Sequence, residues 1–174
     1  MIKTNRLALI PFSEMAFQSI FNNDLAELAK ILNIEQPAHW TNDKDTETHL
    51  PEVYQAFIDS GGDMLWGKFF YVSAPQRQLI GTGGFKGVPD EKGFVEIAYE
   101  ILPEFKNIGF ATEAADALID HAFSHNASGV RAHTTPTEDA SIYVLRKLGM
   151  QYVENILNMD VGEMWRWEKY RQEA

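Results

Sequence analysis

The sequence predicts an α/β (α+β) fold: one mixed, mostly antiparallel sheet of about seven strands with helices packed against it. Three observations carry this reading. Residues 66–102 hold three successive strand-like runs, "WGKFFYVSA", "QLIGTGGFKG" and "GFVEIAYEIL", parted by Pro75 and by the turn "GVPDEKG". Ala111, Ala114, Ala115, Leu118, Ile119 and Ala122 recur at the spacing of one helical face, and so many alanines let a helix lie close to a sheet. A further strand, a helix and two strands then close the chain.

Taken in order, "RLALIPF" reads as a first strand stopped by Pro11. Ser13 can accept a backbone N–H and so cap a helix from about Glu14, and a second helical stretch, "DLAELAKILNI", starts at Asp24. Residues 35–47, "EQPAHWTNDKDTE", are polar and turn-prone. A helix follows through "LPEVYQAFID", and Gly61-Gly62 ends it. Beyond the alanine-lined helix come the strand "GVRAHTT", the helix "EDASIYVLRKL", and the strands "MQYVENILNM" and "MWRWEKYRQ". No repeat, low-complexity segment or linker-like stretch interrupts the series, so residues 1–174 are expected to form a single domain.

Fifteen basic against twenty-five acidic residues give a net charge of −10. That disfavours nucleic acid and anionic membranes as partners. It suits a cationic substrate, although solubility alone also accounts for such a charge. The absence of cysteine excludes disulfides, thiolate metal sites and a cysteine nucleophile. The first residues do not read as a signal peptide, and no apolar run approaches the ~20 residues of a membrane span, so a cytoplasmic protein is expected. A homodimer is left open.

The stretch "EFKNIGFATEAADALIDHAF" sets a small-residue turn directly before the alanine helix. A helix start leaves backbone N–H groups without intrahelical partners, and its positive end favours phosphate. Gly109 removes a side chain that would block a ligand. The pattern is neither the three-glycine dinucleotide fingerprint nor the Gly-Lys-Ser/Thr phosphate loop, so on its own it favours a tight strand-to-helix turn over a phosphate site.

The wider segment "LIGTGGFKG…GFVEIAYEILPEFKNIGFATEAADALIDHAF…TTPTEDASIYVLRKLGM" resembles the GNAT superfamily of acyl-CoA-dependent N-acetyltransferases, and looks closest to the branch that includes the ribosomal-protein N-terminal acetyltransferases. The strong similarity covers residues 79–152. The superfamily's pyrophosphate loop, Gln/Arg-x-x-Gly-x-Gly/Ala, is matched by Lys106-Asn107-Ile108-Gly109-Phe110-Ala111, with Lys in the first position and Thr112 following. The opening "TNRLALIPF" resembles the branch's "TeRLxLRP", with Ile10 replacing its second Arg. The resemblance implies a GNAT-like acyl-CoA N-acyltransferase fold, acetyl-CoA as acetyl donor without a metal, and a small-molecule or peptide amine as acceptor.

It also implies site residues. Glu96 matches a position where many members carry a carboxylate that takes a proton directly or through water; a structural ion pair is the alternative. Ser141 matches a serine near the CoA thiol, with helix capping as the alternative. Main-chain groups of Ile101 and Leu102 would pair with pantetheine like an added strand. Two departures stand out: Leu145 occupies the superfamily's usual tyrosine position, and Glu138 replaces an Asn whose amide could help hold CoA.

Alternation along "FVEIAYEIL" puts Glu96 and Glu100 on one strand face, ~13 Å apart at ~3.3 Å per residue, too far for a carboxylate dyad. Glu100 reads as structural or substrate-lining. His121 and His125 lack a third metal ligand. Trp66, Trp165 and Trp167 read as core or half-buried strand residues; Trp40 with His39, in a polar loop, is the pair best placed to line an acceptor pocket. Two functions are therefore in play: an N-acetyltransferase acting by direct attack in a ternary complex, and a non-catalytic acyl-CoA-binding module.

Overall fold

The computed structural model describes residues 1–172. Its strands are β1 (Ile2–Lys3), β2 (Ala8–Pro11), β3 (Lys68–Ser73), β4 (Gln78–Phe85), β5 (Phe94–Ile101), β6 (Gly129–Thr134), β7 (Gln151–Asn158) and β8 (Gly162–Tyr170). Its helices are α1 (Glu14–Phe21), α2 (Leu25–Leu32), α3 (Lys44–Thr48), α4 (Leu50–Asp59), α5 (Phe110–Ser124) and α6 (Ala140–Lys147), with a 3₁₀ turn at Pro103–Phe105. The strands form one sheet in the order β1-β2-β3-β4-β5-β6-β8-β7. Among the described residues only β5 and β6 pair in parallel, because α5 carries the chain back across the sheet between them. Among the described residues no helix is long and apolar enough to cross a membrane.

Most expected elements form where their local chemistry places them. The Ser13 side chain caps α1 by accepting from the Ala16 N–H, and Asp24 caps α2 by accepting from the Glu27 N–H. Two elements were not anticipated. The two-residue β1 adds an eighth strand at the edge. Within the polar loop, α3 forms because Asp43 accepts from the Asp45 N–H.

Helices cover both faces. On one face α5 and α6 pack Ala114, Leu118, Ile119, Ile142 and Leu145 onto Tyr71, Val95 and Ile97. On the other, Phe12, Phe17, Leu28, Trp40 and Leu50 pack with Phe70 and Val72. The split follows strand alternation: odd residues of β3 and β5 face α5, even residues the opposite side. The run "GTGG" sits in β4 because the neighbours press close; a Cβ on Gly83 would collide with the Tyr71 hydroxyl and the Ala98 carbonyl.

Candidate functional site

The parallel pairing of β5 and β6 is short. It covers Phe94–Glu96 opposite Gly129–Arg131 and ends there, while β5 stays paired with β4 as far as Ile101. Beyond Glu96 the two strands splay. The Glu96 carbonyl accepts from the Lys86 N–H and the Leu102 N–H donates to the Ile80 carbonyl, so even residues of β5 aim their main chain at β4. By alternation, the N–H and C=O groups of Tyr99 and Ile101 face the gap. This places Ile101 where an added strand would pair. Leu102 is a correction: its N–H is committed to Ile80 and its carbonyl accepts from the Phe105 N–H, so neither group is free.

At the end of this gap the chain turns into α5. Asn107 and Gly109 adopt left-handed backbone conformations, with φ of 65° and 89°. Gly109 is the N-cap residue and provides no side-chain cap. Among the described residues, no protein acceptor takes the backbone N–H of any residue from Asn107 to Thr112. Lys106, Asn107, Ile108 and Gly109 are exposed, Ala111 and Thr112 half-buried, and Phe110 anchors the turn in the core. A row of free N–H groups at a positive helix end, beside an exposed lysine, suits a phosphorylated ligand.

The turn is braced by a residue from the far end of the sequence. Arg6 donates from Nη1 to the Ile108 carbonyl (2.9 Å) and from Nε to Glu113 Oε2 (2.6 Å), and its guanidinium lies 4.4 Å from the Phe110 ring centroid. The Thr4 hydroxyl and Arg6 N–H also donate to Glu113 Oε1. Burial opposes ionisation of Glu113, yet these bonds hold its carboxyl below the ordinary value. The opening "TNR" thus orients the start of α5.

Glu96 lies on the opposite face from α5, beside the point where the strands part. Its Oε1 is 2.8 Å from Lys86 Nζ and 3.0 Å from His133 Nδ1. Burial alone would raise its pKa; the bonds from His133 and Lys86 outweigh this and bring it down to about 2 from 4.5. Such a carboxylate stays ionised and holds an imidazole in place. Because the folded pKa is depressed, its stabilising contribution is complete above the ordinary 4.5 and fades as pH falls towards about 2. Glu96→Gln is therefore expected to lower the urea midpoint at pH 7, with the gap to the parent chain narrowing through the acid range; a gap constant with pH would show that the ionised form is not what matters.

His133, which sequence reasoning passed over, is brought to Glu96 by the β5–β6 register. Alternation along "GVRAHTT" predicts that Arg131 and His133 share a side, but not that this side meets Glu96. Glu100 accepts from the Thr41 hydroxyl and from the Asn42 N–H (2.8 Å), so it ties the loop before α3 to β5.

Ser141 sits in the first turn of α6, where Asp139 rather than Ser141 supplies the cap. Its hydroxyl makes no hydrogen bond among the described residues. Tyr99 was also missed: its hydroxyl is buried without a partner, and burial, then the nearby Asp139, raises its pKa. A tyrosine in the row Val95, Ile97, Tyr99, Ile101 is the signal that could have found it. Glu138 is bound by Arg146 through two 2.8 Å contacts, which offset its charge. Leu145 is fully buried and Tyr143 faces solvent. Trp40 is buried in the second core cluster rather than standing free in its loop, while His39 lies 3.8 Å from Glu104. His121 donates from Nε2 to the Leu65 carbonyl and packs on Trp66, with no metal cluster among the described residues.

The chain is similar to known proteins in sequence and in fold. Residues 6–151 match the family model described as an acetyltransferase (GNAT) domain. The chain is 27% identical over 168 residues to the uncharacterized N-acetyltransferase YjdG of Bacillus subtilis (strain 168), covering 96% of each. In fold it resembles a GNAT-family acetyltransferase from Bacillus anthracis, with a TM-score of 0.65 at 18% identity over 97% of each chain. It also resembles the spermidine N-acetyltransferase of Vibrio cholerae crystallised with CoA and spermine, with a TM-score of 0.66 at 17% identity over 96% of each chain.

Proposed function

This chain belongs to the GNAT acetyltransferase family, and from that premise we propose that it moves an acetyl group from acetyl-CoA to a primary amine by direct attack in a ternary complex. The observation that carries this reading is the gap between β5 and β6: an open row of main-chain groups at Tyr99 and Ile101 runs towards the free N–H groups of residues 107–112. An extended pantetheine arm suits the first and a diphosphate the second.

When bound, acetyl-CoA supplies the thioester. The protein's own part is to hold amine and thioester together and to move two protons, one off the amine and one onto the departing sulfur. The Glu96–His133 pair serves the first transfer. Ionised Glu96 holds Nδ1 of His133, leaving Nε2 to accept the amine's proton. Glu96 thus acts through His133. The Ser141 hydroxyl, unspent at the start of α6, serves the second transfer.

Buried Leu145 in place of the tyrosine favours the competing reading, a non-catalytic acyl-CoA-binding module. Thiol release from acetyl-CoA, followed with a panel of primary amines, separates the two. Amine-dependent release is expected. Stabilisation of the fold by acetyl-CoA without release under any amine would establish the binding module instead.

A further inference from the structure

Among the described residues, the buried side-chain polar atoms without a hydrogen-bond partner belong to His39, Tyr71, Tyr99 and Arg166. His39 and Arg166 each have a carboxylate nearby, Glu104 at 3.8 Å and Glu168 at 3.2 Å. That leaves two phenols. Tyr71 is fully enclosed, with its hydroxyl lying over Gly83, and β4 and β5 stand between its strand and the gap. Tyr99 differs: it is half-buried and sits on β5, the strand that borders the gap. A buried hydroxyl with no partner is costly to keep, so its position asks for a reason.

The gap determines what would stand beside Tyr99. Its open main-chain groups belong to Ile101 and Tyr99, and it closes at Glu96, where β5 and β6 pair. A pantetheine arm starting from a diphosphate at residues 107–112 would pass Ile101 first and Tyr99 next, so its thioester end would fall between Tyr99 and Glu96. Glu96 and His133 lie on the sheet face away from α5. The Tyr99 side chain rises on the face of α5 and α6, in the row of Val95, Ile97 and Ile101. The amine thus arrives on one face and the phenol stands on the other. Burial, and then Asp139, raises the pKa of Tyr99, and Asp139 is the residue that accepts from the Ser141 and Ile142 N–H groups. The phenol therefore lies near the start of α6, where the Ser141 hydroxyl is also unspent. Further along α6, buried Leu145 offers no hydroxyl.

We propose that the Tyr99 hydroxyl donates a hydrogen bond to the sulfur of acetyl-CoA, and that this bond strengthens as the sulfur departs. As the amine's nitrogen bonds to the acetyl carbon, the C–S bond breaks and its electron pair stays on sulfur. Tyr99 keeps its own proton throughout, because burial and then Asp139 disfavour the phenolate. The proton that ends on sulfur comes through Ser141. A neutral donor already aimed where charge develops contributes most in the transition state. The proposal rests on the N-acetyltransferase reading and adds a residue to it.

Tyr99→Phe removes the hydroxyl and little else. Ultraviolet titration of CoA bound to the protein, with desulfo-CoA as the blank, reads the thiol without any turnover. The bound thiol should be about tenfold more acidic in the parent chain than in Tyr99→Phe, a difference of ~1.4 kcal/mol. The same variant should lower kcat by about 10–100-fold, the worth of a hydrogen bond to a charged group, with the KM for the amine little changed. Without ligand, its urea midpoint should match or exceed the parent's, because no protein partner is lost. A midpoint clearly below the parent's would make the hydroxyl structural and overturn the proposal. Equal thiol acidity in the two proteins also overturns it, whatever happens to kcat, and amine-dependent turnover then leaves the transferase reading standing. A Tyr99-dependent change in thiol acidity without turnover under any amine keeps the contact and overturns the transferase reading. Absence of both overturns both.

Discussion

Gly109→Asp is expected to weaken CoA binding by roughly a hundredfold, about 2.7 kcal/mol, while Gly109→Asn weakens it much less. The two substitutions share their backbone cost, because both place a side chain at φ 89° and both residue types tolerate the left-handed region. They differ in charge. A carboxylate within ~5 Å of a phosphate at an effective dielectric constant of ~20 is repelled by about 3 kcal/mol. It would stand at the mouth of the N–H groups of residues 107–112, which no protein acceptor occupies among the described residues. A Cβ at this position also comes within 3.3 Å of Arg6 Nη2, so the aspartate would compete for the guanidinium that braces the turn through Ile108. Calorimetric titration of both variants with CoA reads the charge effect, and urea unfolding of each shows how much is lost stability. Equal affinities for Asp and Asn would mean that the loop is a turn and nothing more.

His133→Asn is expected to lower kcat by about 10²–10³-fold with little change in CoA affinity, within the usual contribution of a general base. Asparagine can still donate to Glu96, so the ion pair with Lys86 and the local geometry are preserved while the proton-accepting nitrogen is lost. Glu96→Gln should cost less, about tenfold, because it removes only the charge that orients the ring. The pH profile separates the roles: the rise of rate with pH should disappear in His133→Asn and survive in Glu96→Gln. If Glu96→Gln instead costs as much as His133→Asn and flattens the profile alone, the carboxylate itself takes the proton. If neither variant slows turnover, catalysis comes from holding amine and thioester together.

Local pattern alone determined the class of fold, the helix caps at Ser13 and Asp24, the alanine face of α5 and the glycine turn before it. Each depends on residues within a turn or two of one another, and periodicity encodes which side of an element a residue presents. The absence of cysteine likewise removed thiol chemistry at once. Tertiary structure decided which elements become neighbours and where pairing stops. β8 inserts between β6 and β7, against the order of the chain. β5 and β6 part after Glu96, which opens Tyr99 and Ile101 but leaves Leu102 committed to Ile80 and Phe105. Arg6 reaches Ile108, 102 positions away, and Thr41 reaches Glu100, 59 positions away. His133 meets Glu96, and Trp40 turns from its polar loop into the core. Strand alternation states only that a residue faces one side of a sheet. The partner it finds there depends on strand order and register, which long-range packing fixes over the whole chain.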